Sequence, residues 1–128
     1  MAIKAIAMDI DGTLTNDQKV ISPRTREKLL AAQESGIKLI LASGRPAWGL
    51  HALAQELNLQ NHDGLLVAFN GAHVVDAQTD EVLFDQAMPT DELHRLIDYL
   101  RNFDVISMIS LGRRFARRGL VPLHDHAA

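Results

Sequence analysis

The chain has no cysteine. That excludes disulfides, zinc–thiolate sites and thiol catalysis, and it fits a reducing compartment. No apolar run approaches the roughly 18 residues that a membrane-spanning helix needs. The opening residues Met1-Ala2-Ile3-Lys4 lack the basic start and long apolar stretch of a secretory signal. The expected setting is therefore the cytoplasm, with no membrane partner. Internal repeats and low-complexity linkers are absent, and no lysine follows Lys38.

What is present is ordinary for a soluble globular protein. A length of 128 residues fits one domain, with 47% apolar and 23% charged residues. Such a chain buries roughly two-thirds of its unfolded surface. The net charge of −3 is unevenly spread. Residues 1–100 carry 8 Lys or Arg against 14 Asp or Glu, a net −6, whereas residues 101–128 carry 5 Arg against 2 Asp, a net +3.

Residues 1–70 alternate between strand and helix patterns. Ile3 to Met8 reads as a short strand buried on both faces. Ser22-Pro23 opens a helix with Leu29, Leu30 and Ala32 as its apolar stripe, and Ser35-Gly36 closes it. Ile37 to Ala42 is a second buried strand. Ser43-Gly44-Arg45-Pro46 breaks it, and a helix from about Ala47 to Leu57 follows, with Leu50, Leu53, Ala54 and Leu57 on one face and Trp48 expected in the core. Leu65 to Phe69 is a third strand, ended by Asn70-Gly71. This order implies right-handed crossovers and a parallel, Rossmann-like α/β sheet. His73 to Asp76 and Glu81 to Phe84 then suggest a β-hairpin. A further helix starts at Pro89-Thr90, with Leu93, Leu96, Ile97 and Leu100 on its inner face. His51, His62, His73 and His94 share no ligand spacing and are expected at the surface.

The chemistry concentrates in Asp9-Ile10-Asp11-Gly12-Thr13. Two carboxylates lie two residues apart at a strand end, where an open α/β sheet keeps its ligand crevice. Residues i and i+2 of an extended segment point to the same side. Gly12 lets the chain turn away and leaves room for an anion near the backbone. Asp and Gly also favour a plain turn. A calcium loop is excluded, because its later ligand places hold Thr13 and Val20.

With Asp9-Ile10-Asp11-Gly12-Thr13 after the first strand and Ser43-Gly44-Arg45-Pro46 after the second, the chain resembles the haloacid dehalogenase-like superfamily. Its nearest likeness there is the branch of sugar-phosphate phosphatases called the Cof type. The resemblance is expected to cover residues 1 to about 100. It implies a core over residues 1–85 and, over 86–128, the start of an α/β cap followed by an atypical basic tail.

By resemblance Asp9 is the nucleophile, forming an aspartyl-phosphate, and Asp11 is the general acid and base. Mg2+ would take a carboxylate oxygen of Asp9 and the main-chain carbonyl of Asp11. Gly12, Thr13, Ser43, Gly44, Arg45 and Asn70 would bind substrate, with Ser43 on the phosphoryl oxygens and Arg45 clamping phosphate or a neighbouring carboxylate. A nearby helix N-terminus would favour the anion. The implied function is Mg2+-dependent hydrolysis of a small phosphorylated metabolite. Read without the resemblance, Ser43 is a helix N-cap, Arg45 a surface charge and Asn70 part of an Asn-Gly turn.

The family also uses a downstream Lys and a Gly-Asp stretch with a further Asp. No Lys follows Lys38, and Asp104 and Asp125 have no such context. The chain is thus expected to be a truncated product, its last twenty or so residues from a shifted reading frame, whose exposed sheet edge favours homo-oligomers. The rival to a working phosphatase is an inactive fragment or half-enzyme serving as an interaction module. Arg113 or Arg114 replacing the Lys, and phosphotransfer without turnover, are further alternatives. A helical stripe of Arg113, Arg114, Arg117 and Arg118 for nucleic acid, with Phe115 as its one aromatic, is not favoured. Neither is metal binding by His124-Asp125-His126.

Overall fold

Strands are laid down side by side in chain order. This computed structural model describes residues 2–111 and 114–118. Five strands, β1 (Ala5–Asp9), β2 (Lys38–Ala42), β3 (Leu65–Ala68), β4 (His73–Asp76) and β5 (Val82–Asp85), form one sheet in that order. β1, β2 and β3 are parallel, and β4 and β5 return antiparallel. The sheet lies in the first of two compact units, Met1–Ala87 and Met88–Ala128.

Local chemistry sets the connections. In α1 (Pro23–Glu34), Pro23 fills the first helical position and the Ser22 hydroxyl accepts the Thr25 amide at 3.2 Å. Gly36 closes it with φ +87°, a conformation that glycine adopts without strain. The second connection is not the single helix expected over 47–57. A 3-10 turn at Ala47–Gly49 precedes a six-residue helix, α2 (His51–Glu56), and another 3-10 turn follows at Leu59–Asn61. Pro46 and Gly49 are poor interior helix residues, and the Gly49 and Leu50 amides close tight turns onto Pro46 and Ala47. The turn takes Trp48 off the apolar stripe. It is 40% exposed, which corrects its expected place in the core.

The core joins Leu39 and Leu41 of β2, Leu66 of β3 and Val75 of β4 with Ile10, Leu14, Leu50, Leu57 and Leu59. Leu29 of α1 packs against the same cluster. Buried Gln33 of α1 donates from Nε2 to the Leu57 carbonyl at the end of α2, at 2.6 Å. Both helices thus lie on one face of the sheet. Two right-handed crossovers stepping in the same direction produce that result.

The opposite face has no helix from this unit among the described residues, and the expectation that Ile3 to Met8 is buried on both faces fails. Ala5, Ala7 and Asp9 of β1 are exposed, Ile6 and Met8 half-buried, and Ile3 precedes the strand at 71% exposure. Among the described residues β1 is also the sheet's edge, paired only with β2.

The second unit contains α3 (Thr90–Leu100) and the antiparallel pair β6 (Ser107–Leu111) and β7 (Arg114–Arg118). Leu93, Ile97 and Leu100 are half-buried, but Leu96 is 40% exposed, outside the inner face expected for it. The basic segment is a strand rather than a helix, so an i, i+4 arginine stripe does not form there. Arg113 and His124-Asp125-His126 lie outside the described residues. No helix among the described residues is long and apolar enough to cross a membrane.

The one-sided coverage has a measurable consequence. Leu41 is fully buried on the helix-covered face, so Leu41→Ala is expected to cost about 2–5 kcal/mol. Half-buried Ile40 is its neighbour on the other face, and Ile40→Ala should cost only about 1 kcal/mol. A Cβ on Gly64 would lie 2.6 Å from Cβ and Cγ of fully buried Leu59. Gly64→Ala should therefore lower stability by about 1–3 kcal/mol through overpacking. Urea unfolding of the three variants checks all three values.

Candidate active site

Strand register assembles the site. Asp9 pairs with Ala42, and Ala42 with Val67, so β1, β2 and β3 end at the same level. The next residues of each strand emerge together. Beyond β1, Ile10 is fully buried while Asp9 and Asp11 are exposed, the alternation expected of an extended segment. The loop is anchored from inside by Leu14 and Thr15, both nearly buried, and the Thr15 hydroxyl donates to the Ile10 carbonyl at 3.1 Å. Gly12 turns the chain at φ +78° with nothing near its Cβ position, so backbone freedom is what glycine supplies here.

The two carboxylates have different surroundings. Asp9 Oδ2 accepts the Thr13 hydroxyl at 3.2 Å. Asp11 Oδ1 accepts both Lys19 Nζ and Arg45 Nη2, each at 2.8 Å. The Lys19 hydrogen bond first, and that of Arg45 second, hold the Asp11 carboxyl below the usual Asp range. Arg45 thus meets a neighbouring carboxylate, as expected, but through one nitrogen rather than a bidentate fork.

Beyond β2, the Ser43 hydroxyl accepts the Arg45 amide at 3.2 Å. No helix begins there, since the 3-10 turn starts at Ala47 and α2 at His51. The expected support from an adjacent helix N-terminus is therefore not formed, because Pro46 and Gly49 delay the helix. Two main-chain bonds tie this loop to the turn after β3, Asn70 N–H to the Ser43 carbonyl at 3.1 Å and Phe69 N–H to the Arg45 carbonyl at 3.0 Å. A Cβ on Gly44 would sit 3.1 Å from Asn70 Oδ1, so the Asn70 side chain lies directly over that glycine. Phe69 and Asn70 are left-handed, at φ +50° and +56°.

The structure therefore joins Asp9 to Thr13, Asp11 to Arg45, and Ser43 and Gly44 to Asn70. Ser43 is placed by register one residue past the neighbour of Asp9, and its hydroxyl is used locally.

Sequence reasoning missed Lys19. Its signal was Asn16, three residues earlier. The Asn16 side-chain oxygen accepts the Gln18 and Val20 amides at 3.0 and 3.1 Å, an Asx-type turn that folds the lysine back over Asp11.

Among the described residues of the site, the carboxylates are those of Asp9 and Asp11. No cluster of three or more His, Asp or Glu residues able to hold a metal occurs among the described residues. Three histidines lie elsewhere, His51 by Asp80 at 2.9 Å, His62 by Glu34 at 3.4 Å and His73 by Asp85 at 3.2 Å. A cavity of about 220 Å³ between α2 and the β4–β5 turn is lined by His51, Gln55, Gln60 and Asp80, and by none of the carboxylate-site residues.

Comparison with known proteins gives the arrangement its context. Residues 6–116 match the haloacid dehalogenase-like hydrolase family. The chain is 39% identical over 95 residues to the Bacillus subtilis protein named "Putative phosphatase YxeH", covering 74% of this chain and 35% of that protein. It is 32% identical over 105 residues to pyridoxal phosphate phosphatase YbhA of Escherichia coli, covering 82% of this chain and 38% of that protein. A haloacid dehalogenase-like hydrolase from Bacteroides thetaiotaomicron superposes with a TM-score of 0.82 at 33% identity, over 94% of this chain and 46% of that structure. The chain thus spans 35–46% of the length of these proteins. The likeness also runs past residue 100, where the sequence suggested it would fade. Those later residues form the β6–β7 pair, whose arginine-rich second strand hides its pattern from inspection. The chain belongs to the haloacid dehalogenase-like hydrolases.

Proposed function

We propose that this chain carries the phosphoryl-handling part of a cytoplasmic phosphatase that hydrolyses a small phosphomonoester, such as a sugar phosphate. The observation that carries the reading is the asymmetry of the carboxylate pair. Among the described residues, the Asp9 carboxylate accepts the Thr13 hydroxyl and pairs with no cation, whereas the Asp11 carboxylate is held by two cations. In this reading the carboxylate without a cation partner attacks, and the other moves protons.

An Asp9 oxygen attacks phosphorus in line. A bond from phosphorus to Asp9 forms as the bond to the ester oxygen breaks, and protonated Asp11 delivers its proton to the departing alkoxide. Water then attacks the aspartyl-phosphate. Asp11 takes the proton of that water, the acyl phosphate bond breaks, and Asp9 is restored. Lys19 and Arg45 favour ionised Asp11, which suits the second step, and the first needs their hold relaxed. The Ser43 hydroxyl and the Arg45 guanidinium would bind the phosphoryl oxygens.

Mg2+ fits this donor set. It binds through one or two carboxylates, with phosphate oxygens and water completing the shell, rather than in an all-protein cage. The Asp9 carboxylate and the Asp11 main-chain carbonyl would hold it, and it would supply the charge that lets a carboxylate approach a phosphate dianion. Residues 86–128 read as the start of a cap that governs substrate choice.

A second reading, a half-enzyme or interaction module, is favoured by the uncovered sheet face and by the edge of β1. Turnover of p-nitrophenyl phosphate separates the two. For the phosphatase, Mg2+-dependent turnover is expected to fall about 10³-fold or more in Asp9→Asn and to vanish in EDTA. Turnover untouched by Asp9→Asn would overturn the assignment of the nucleophile, and no turnover above Asp9→Asn would favour the half-enzyme.

A further inference from the structure

We infer that Lys19 is a phosphate-binding residue of this site, one that exchanges its contact with the Asp11 carboxylate for a contact with the oxygens of the phosphomonoester. The inference rests on the phosphatase reading and adds a residue to it.

The loop is built to present this side chain. Lys19 is left-handed at φ +60°, a conformation that a non-glycine residue holds only where its surroundings impose it. The Asn16 side chain imposes it by binding the amides on either side, Gln18 and Val20. The Asn16 carbonyl accepts the Lys19 amide itself at 2.9 Å, and the Asn16 amide closes the loop onto the Val20 carbonyl at 3.1 Å. A solvated surface lysine needs none of this.

The contact with Asp11 is one that can be exchanged. The Lys19 side chain is 63% exposed, on a flexible stem, and such pairs contribute little to stability. Arg45 binds the same Asp11 oxygen, so Asp11 keeps a cationic partner when Lys19 swings away.

Charge balance permits the exchange. Asp9 and Asp11 are offset by Lys19 and Arg45, which leaves the local sum at zero. A phosphomonoester dianion with one divalent cation also sums to zero. Binding substrate with its metal therefore needs no further charge, provided that Lys19 and Arg45 are shared between Asp11 and the phosphate. Among the described residues no other lysine is placed for this role. Lys38 begins β2 opposite Ala5, at the far end of the sheet from Asp9, Lys4 precedes β1, and Lys28 lies on α1.

Calorimetric titration of the full chain with inorganic phosphate, in Mg2+ at low salt, tests the inference. Lys19→Met is expected to weaken phosphate binding about tenfold or more, and Lys19→Arg to restore it to within about threefold. Lys28→Met removes the same charge from α1 and should leave binding unchanged. Thermal unfolding of each variant should match wild type, since Lys19 and Lys28 are both exposed. Wild-type affinity in Lys19→Met, or an equal loss in Lys28→Met, would overturn the role of Lys19 and leave the phosphatase reading standing. A wild-type chain that binds no phosphate would overturn both.

Discussion

Parallel pairing sets Asp9 beside Ala42 and Ala42 beside Val67, so three chain segments leave the sheet at one height. The contacts between the loops after β2 and β3 descend from that register. Ser43 N–H reaches the Val67 carbonyl at 2.9 Å, and the Phe69 and Asn70 amides reach back to Arg45 and Ser43. A one-residue slip would turn Leu39 and Leu41 out of the core and carry Asp9 out of line with Ser43. The hydrophobic burial of β2 therefore does more than stabilise the sheet. It fixes the level at which Asp9 stands beside the end of β2.

The loops beyond the strand ends carry the backbone strain. Gly12, Lys19, Phe69 and Asn70 all have φ between +50° and +78°. For glycine this is free, and for Asn it is mild, but for Lys and Phe it costs roughly 1–2 kcal/mol each. Each costly residue is held by a specific bond, Lys19 through Asn16 and Phe69 through the Arg45 carbonyl. The same bond that secures Phe69 also secures Arg45, which pairs with Asp11. Strain after β3 is in this way coupled to the placement of a guanidinium after β2.

What could be read from the sequence was whatever depends on neighbours in the chain. Asp9 and Asp11 share a side because strands alternate, and Ser22-Pro23 caps α1 because capping is local. The hairpin after β3 was legible within one residue for the same reason. What escaped depends on distant partners or on exact loop geometry. Apolar content shows that β1 is able to be buried. Which of its faces is covered depends on the direction in which two crossovers step, and here both step the same way. Lys19 was hidden because its position follows from an Asx turn rather than from periodicity. Gln33 was hidden because an apolar stripe gives no place to an amide whose partner, the Leu57 carbonyl, lies 24 residues away. The strand β7 was hidden because Arg-Phe-Ala-Arg-Arg satisfies neither a helical nor an alternating apolar template.

The uncovered face and the site are nonetheless separable. Ala5 and Ala7 are exposed on that face, with Ile40, Leu65 and Val67 half-exposed beside them, an apolar surface suited to a further layer. The contacts that define the site do not use that layer. Thr13 with Asp9, Lys19 and Arg45 with Asp11, and Asn70 with Ser43 all arise among residues 9–70. Their anchors, Ile10, Leu14, Leu41 and Leu66, belong to the cluster on the helix-covered side. Covering the other face would raise stability and could add groups to the crevice. The geometry of the two carboxylates and their two cations is already determined without it.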